Sequence, residues 1–218
     1  MILAQNNTEN GEVILREGPA GYEIIVDGQF LMSSASGNSS VALVESGLAK
    51  LAGRDDLKVL IGGLGLGFSL KAALADSAVA EVTVVELEAR IIEWHRRDLL
   101  GTAMLLNDPR TRVLEQDFLQ FMNKYEVQFD LIVMDIDNGP DWLSHEANSQ
   151  LYSQNSLQRL NMMLKPQGVL TIWSAAPSLQ LKQSLEQIFG NVEEVKAADH
   201  NGEGKTITAY IYSCQLKY

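Results

Sequence analysis

Lys58-Val59-Leu60-Ile61-Gly62-Gly63-Leu64-Gly65-Leu66-Gly67-Phe68 is the stretch on which the fold turns. Val59-Leu60-Ile61 is a short apolar run of the kind that a parallel sheet buries on both faces. Gly62, Gly63, Gly65 and Gly67 follow, and a helix-forming segment then runs through Ala75. Glycines between a strand and a helix allow a tight turn and a close backbone approach to a ligand. The new helix N-terminus presents N–H groups and a partial positive charge suited to an anion.

Outward from that loop, strands alternate with helices. The pattern predicts strands at Glu81–Glu86, Arg112–Glu115, Phe129–Asp135 and Gly168–Trp173. Helices are expected at Ala89–Leu100, Phe118–Tyr125, Ser149–Leu164 and Leu179–Phe189. Val192–Lys196 and Thr206–Ser213 read as a closing antiparallel hairpin. Upstream, Glu12–Arg16, Tyr22–Val26 and Gln29–Met32 read as three short strands joined by turns, and Val41–Leu51 as a helix. The expectation is an α/β, doubly wound, Rossmann-like sheet of about seven strands, with a small antiparallel β-meander in front. The meander is assigned to residues 1–40 and the cofactor-binding catalytic domain to residues 41–218.

The chain has 218 residues, ample for a buried core, and its 46% hydrophobic and 21% charged content is that of a globular protein. The net charge of −11 repels phosphate backbones and argues against nucleic acid as a partner. No apolar run is long enough to span a bilayer, and Met1–Asn10 lacks a signal-peptide core, so the reading places the chain in the cytoplasm. Cys214 cannot form an intramolecular disulfide and reads as a packing residue. The three histidines and one cysteine lack metal-ligand spacing, so no metal is expected.

The residues just after each strand carry the chemistry. The dinucleotide pattern G-x-G-x-x-G fails at Phe68, and no Gly-Lys-Ser/Thr follows for a P-loop. G-x-G-x-G remains, the form usual in methyltransferase-like folds; Gly62, Gly63, Leu64, Gly65 and Gly67 are the candidate cofactor contacts. Glu86, with Leu87 beside it, ends the second strand of this series, where a carboxylate can accept both hydroxyls of a ribose. Asp117 can accept from an adenine amino group while Phe118 covers the ring; Asp117 can equally cap the helix that starts there. Asp135 is the candidate catalytic residue, orienting an acceptor or taking its proton. Asp137 reads either as an acceptor contact or as part of an Asp/Asn/Gly/Pro turn. Asn138, Trp142 and His145 are further acceptor candidates, and Trp173 reads either as pocket or as core. His95, beside Arg96 and Arg97, reads as surface.

In this order, these features resemble the spermidine synthase family of polyamine aminopropyltransferases. Ile25-Val26-Asp27-Gly28 is similar to its small β-domain, Gly62–Gly67 to its cofactor loop, and Val84-Val85-Glu86-Leu87 to its ribose strand. Gln116-Asp117-Phe118 resembles its adenine contact, and Phe129–Asp135 the strand that delivers its catalytic aspartate. The resemblance implies an S-adenosylmethionine-type sulfonium cosubstrate, a small amine acceptor such as a polyamine, and a homodimer. Three departures stand out. Leu66 occupies the place given to the Asp that ends the family's Gly-Asp-Gly loop. Asn138 replaces a second Asp after Asp135, with Asp137 one residue early. The family's acidic, Tyr- and His-containing polyamine segment is absent from Gly37–Glu45. A Leu at position 66 removes repulsion of a methionine carboxylate and leaves loop N–H groups for it. The expectation is therefore tilted towards methyl transfer from S-adenosylmethionine. The alternatives are aminopropyl transfer from decarboxylated S-adenosylmethionine and a non-catalytic relative that only binds the cofactor.

Overall fold

Val59 and Ile61 belong to one apolar core and Leu60 to another, as period-two alternation requires of a strand buried on both faces. The computed structural model describes residues 1–8, 11–19, 21–136, 138–141, 143, 146–200 and 205–216. Strands β1 (Ile2–Thr8), β2 (Gly11–Gly18), β3 (Gly21–Val26) and β4 (Gln29–Ser33) form an antiparallel sheet in chain order. Next come α1 (Asn38–Ala49), β5 (Leu57–Gly62), α2 (Phe68–Ala75), β6 (Val79–Glu86), α3 (Ala89–Arg96) and the short α4 (Ala103–Leu106). The chain continues through β7 (Thr111–Glu115), α5 (Phe118–Lys124), β8 (Phe129–Met134), a 3₁₀ turn (Glu146–Tyr152) and α6 (Gln154–Met162). It closes with β9 (Leu164–Ser174), α7 (Leu179–Phe189), β10 (Val192–His200) and β11 (Thr206–Gln215).

The second sheet has seven strands in the order β10-β11-β9-β8-β5-β6-β7. β9, β8, β5, β6 and β7 are parallel, and β11 runs antiparallel between β9 and β10. This is the doubly wound, methyltransferase-type sheet expected from the alternation. Strand order reverses between β5 and β8, so the crevice for a ligand opens where the glycine loop and Asp135 leave their strands. Val13, Leu15 and Ile24 of the first sheet share the core that holds Val59, Ile61, Leu131 and Val133.

Several elements depart from the periodicity. β1 is a full strand although Gln5-Asn6-Asn7 are poor strand formers. Its partner supplies the order, with Gln5, Asn6 and Asn7 paired to Ile14, Val13 and Glu12. α3 stops at Arg96 instead of running to Leu100, because Asp98 takes a left-handed φ of 57° and its carboxylate accepts from the Ala103 N–H. The expected helix Ser149–Leu164 is broken at Ser153, whose hydroxyl caps α6. β9 begins at Leu164 and passes Pro166 and Gly168, taking up the irregularity at Gln167 with φ 62°. β10 runs to His200, four residues beyond the expected end.

At the end of the sheet away from the crevice, Asp130 of β8 is 1% exposed. It accepts from the Lys58 N–H at 2.8 Å and from Lys165 Nζ at 2.6 Å, and pairs with Arg54. Asp130→Ala strands one N–H and two cations. Arg54 and Lys165 are each about a third exposed and can turn to water, so a loss of about 3 kcal/mol is expected, the low end for a broken buried pair. Urea denaturation of the variant against the parent checks it.

Candidate active site

The glycine loop is held before any ligand arrives. Gly63, Gly65 and Gly67 all have positive φ, at 88°, 49° and 84°. The Gly63 N–H donates to the Val85 carbonyl at 2.9 Å, the Leu64 N–H to Glu86 at 2.7 Å and the Gly67 N–H to the Leu64 carbonyl at 2.8 Å. The Leu66 N–H donates to Met32 Sδ, at 3.1 Å. A Cβ on Gly63 would overlap the Asp135 carbonyl oxygen, so the missing side chain is what lets the ends of β5 and β8 touch.

These ends, with β6, β10 and the first sheet, enclose a cavity of about 380 Å³. Gly63, Leu64, Gly65, Glu86, Leu87, Asp117, Phe118, Asp135 and Asn138 line it. Gly62 and Gly67 stand outside the lining. Gly62 packs on Ile136 and Phe118, and a Cβ on Gly67 would sit 3.1 Å from the His95 ring. Leu66 is 5% exposed, belongs to the core and does not line the cavity. The residue that tilted the sequence reading towards methyl transfer therefore faces the protein interior. Of the loop N–H groups, those of Gly63 and Leu64 donate to acceptors in β6 and that of Gly67 to the Leu64 carbonyl. Asp137, Trp142 and His145 lie outside the described residues.

Glu86 is 7% exposed, and its two oxygens accept from the N–H groups of Leu64 and Glu88, each at 2.7 Å. Burial raises its pKa, these N–H groups and that of Gly65 oppose the rise, and the nearby Glu88 carboxylate adds to it. Glu86 lines the cavity and accepts backbone N–H groups through both oxygens, so both are oriented before a hydroxyl reaches them. Glu88 also lines the cavity; it caps α3 at the Arg90 N–H and accepts from the Thr8 hydroxyl of β1 at 3.0 Å. Asp117 caps α5 at the Gln120 N–H at 2.8 Å while lining the cavity, so both roles open to it share one position.

Asp135 accepts from the Ser69 hydroxyl at 2.7 Å. Burial pushes its pKa up; Ser69 and Ser40 pull it down, and the charge of Asp199 pushes it up again. Asp199, 1% exposed at the end of β10, is a cavity residue that the sequence reading missed. It accepts from the Ser39 N–H at 2.9 Å and the Ser39 hydroxyl at 2.5 Å, capping α1 from across the fold. Trp173 Nε1 donates to the same hydroxyl at 3.0 Å, so Trp173 serves the cavity wall. Ser39 and Ser40, within the Gly37–Glu45 stretch where the family's polyamine segment was sought, line the cavity, as does Ser36 just before it. Alternation along β10 buries Ala197 and Asp199 together, but Ala197-Ala198 are weak strand formers and conceal that register. The first sheet adds Val26, Phe30, Leu31 and Met32 to the wall.

Two expectations concern residues away from the lining. Cys214 is fully buried and its thiol is pushed up to about 12, a packing residue as read. His95 is not a surface residue: it is 0% exposed, with Nε2 2.8 Å from the Gly65 carbonyl and Nδ1 2.6 Å from the Thr102 hydroxyl. Its flanking arginines are exposed, which made the segment look polar all round. Among the described residues no helix is long and apolar enough to cross a membrane, and no group of three or more His, Cys, Asp or Glu gathers to hold a metal ion.

Residues 43–210 match the spermine/spermidine synthase domain family. The polyamine aminopropyltransferase of Sulfolobus acidocaldarius is 26% identical over 202 residues, covering 88% of this chain and 65% of that protein. That of Saccharolobus solfataricus is 24% identical over 196 residues, covering 89% and 64%. Polyamine aminopropyltransferase 2 of Pseudomonas aeruginosa is 26% identical over 157 residues, covering 68% and 44%. The chain thus spans less than two thirds of the length of these curated relatives. Among solved structures, a spermidine synthase in complex with the transition-state analogue AdoDATO superposes with a TM-score of 0.83 at 17% identity, covering 99% of this chain and 74% of that one. The spermidine synthase of Thermotoga maritima superposes with a TM-score of 0.81 at 17% identity, covering 99% and 73%.

Gly63→Ala tests the contact on which the site is built. Both its φ and the Asp135 carbonyl oppose a methyl group. The expected cost is about 1–3 kcal/mol of stability, read as a lowered melting temperature. Gly28→Ala, with a φ of 76° but open space around it, is the control for backbone strain alone.

Proposed function

The chain belongs to the spermine/spermidine synthase domain family, and from that premise we propose that it is an aminopropyltransferase that uses decarboxylated S-adenosylmethionine and a small polyamine acceptor. The single observation that carries the reading is the charge of the cavity: Asp135 and Asp199 both line it, close enough for one to raise the pKa of the other. Two neighbouring carboxylates are relieved by cations and repel an additional carboxylate. A sulfonium with an ammonium arm, and an amine acceptor, satisfy that demand. S-adenosylmethionine would bring its own carboxylate to a loop whose N–H groups are mostly engaged. The comparisons, too, favour the aminopropyl alternative over the methyl-transfer expectation.

In this reading Glu86 accepts from the ribose hydroxyls, and Asp117 and Phe118 receive the adenine. The residues available suit such a ligand, since the glycine loop leaves the room that side chains would fill and Glu86 is already oriented by two N–H groups. The unprotonated acceptor nitrogen attacks the aminopropyl carbon bonded to sulfur. A C–N bond forms, the C–S bond breaks with its electron pair on sulfur, and a neutral thioether leaves. The proton lost by the new ammonium passes to Asp135, whose raised pKa makes it a better acceptor than an ordinary aspartate. Ser69 fixes the carboxylate by donating to Oδ2. The protein's share of the rate is positioning and electrostatics, since the sulfonium is itself the activated donor.

Calorimetric titration with decarboxylated S-adenosylmethionine and with S-adenosylmethionine, followed by product analysis with putrescine or spermidine, tests the proposal. The decarboxylated form is expected to bind at least tenfold more tightly and to yield an extended polyamine. Tighter binding of the carboxylated form, with a methylated product, would restore the earlier expectation.

Asp135→Asn supplies a second test. Because its folded pKa is raised, ionised Asp135 costs stability, and that cost appears as pH rises from below the ordinary aspartate value of about 3.9 through the raised one. The variant is therefore expected to melt higher than the parent at pH 7 and equally at about pH 3. Turnover should fall by roughly 10²–10⁴-fold, the range for loss of a general base. A variant that turns over normally would remove Asp135 from the chemistry.

A further inference from the structure

We infer that His95, which does not line the cavity, is a positioning residue that sets the orientation of the Gly65–Leu66 peptide of the cofactor loop, with Thr102 holding the ring in the tautomer required. The inference concerns the loop itself, and it rests on the proposed sulfonium-nucleoside site for its ligand readout.

The hydrogen bonds determine the protonation pattern. The Gly65 carbonyl can only accept, so the His95 nitrogen 2.8 Å from it, Nε2, carries the proton. Nδ1 then holds a lone pair, and the Thr102 hydroxyl 2.6 Å away donates to it. Thr102 stands at the N-cap of α4 and makes no side-chain capping bond there, so its hydroxyl serves the ring instead of its own helix. Full burial disfavours the imidazolium and lowers the pKa of His95, opposed in part by the Gly65 carbonyl.

The consequence for the loop follows from the planarity of the peptide unit. In a trans peptide the C=O and the N–H point in opposite directions. Gly65 C=O and Leu66 N–H belong to the same unit. His95 draws the carbonyl back towards α3, and the Leu66 N–H therefore points the other way, to Met32 Sδ on the cavity wall. A thioether is a weak acceptor, which makes this the loop donor with the weakest partner. Gly65, at φ 49°, carries no side chain to oppose rotation about its Cα–C bond, so the direction of its carbonyl is left to its hydrogen-bond partner. The His95 ring also lies where a Cβ on Gly67 would meet it at 3.1 Å, so it backs the loop by contact as well as by hydrogen bond. α3 thus serves the site at both ends, with Glu88 at its N-cap on the wall and His95 in its last turn behind the loop.

The test uses three variants of the full chain. His95→Leu removes both hydrogen bonds, His95→Gln keeps an N–H donor at similar reach, and Thr102→Val removes only the hydroxyl that fixes the tautomer. The first readout is ¹⁵N NMR of the imidazole and of the Leu66 amide in the parent, which needs no ligand. A neutral Nε2–H ring is expected, with a Leu66 amide whose chemical shift moves in His95→Leu and returns towards the parent in His95→Gln. The second readout is the dissociation constant of decarboxylated S-adenosylmethionine. It is expected to rise at least tenfold in His95→Leu, about threefold in Thr102→Val, and less than threefold in His95→Gln. An Nδ1–H tautomer or an imidazolium at neutral pH overturns the inference. So does a folded His95→Leu with parental affinity and an unmoved Leu66 amide, or equal losses in His95→Leu and His95→Gln, which would leave only packing. If His95→Leu does not fold, the ring tautomer and Thr102→Val decide. If the parent binds no sulfonium nucleoside, the proposed function fails, and the NMR readout still decides the orientation of the peptide.

Discussion

No side chain fits at Gly63, and the rest of the site depends on that. Its α-carbon lies against the Asp135 carbonyl, so the carboxyl ends of β5 and β8 come together at the point where strand order reverses. The loop that follows Gly63 and the acid that follows β8 thereby share one cavity. A Cβ at this position would drive the two strand ends apart and separate the cofactor loop from the proposed proton acceptor. The other loop glycines answer to different neighbours: Gly65 to Met32 in front, Gly67 to His95 and Leu105 behind. The loop is clamped between the first sheet and the helices at its back, while β6 supplies the oxygen acceptors for its Gly63 and Leu64 N–H groups.

The electrostatics of the cavity are assembled from distant parts of the chain. Asp199 caps α1 across 160 residues of sequence through Ser39. The same carboxylate lines the cavity. Asp135 is held by Ser69 and Ser40, which come from the first turns of α2 and α1. Serines, whose hydroxyls can donate to carboxylates, occupy the segment where a charged, aromatic polyamine motif was sought. The cavity keeps its acidic character by taking the second acid from β10.

Much of the fold was legible because burial on both faces of a parallel strand writes itself into short apolar runs such as Val59–Ile61 and Phe129–Met134. Glu86, Asp117 and Asp135 were legible as positions because each ends a strand or begins a helix at the carboxyl edge of the sheet, where ligands bind in doubly wound folds. β1 was not legible, since its Gln-Asn-Asn core is ordered by pairing to β2 and not by its own pattern. Asp199 was not legible, since two alanines hid the strand that carries it. His95 was misread because exposed arginines follow it, although the apolar Ile91, Ile92 and Trp94 of the same helix are buried with it. The inward direction of Leu66 was not legible either: a loop motif gives the order of residues but not the direction of each side chain.

The sequence by itself determined the doubly wound sheet, the glycine loop at its switch point and the carboxylates at the strand ends, because periodicity and strand-end chemistry are local properties. Only the tertiary structure decided which groups meet in the cavity. It turned Leu66 inward, brought Asp199 to the cavity that holds Asp135, and set His95 behind the Gly65 carbonyl. Each of these depends on where one backbone passes another, and that is fixed by packing between segments far apart in the chain.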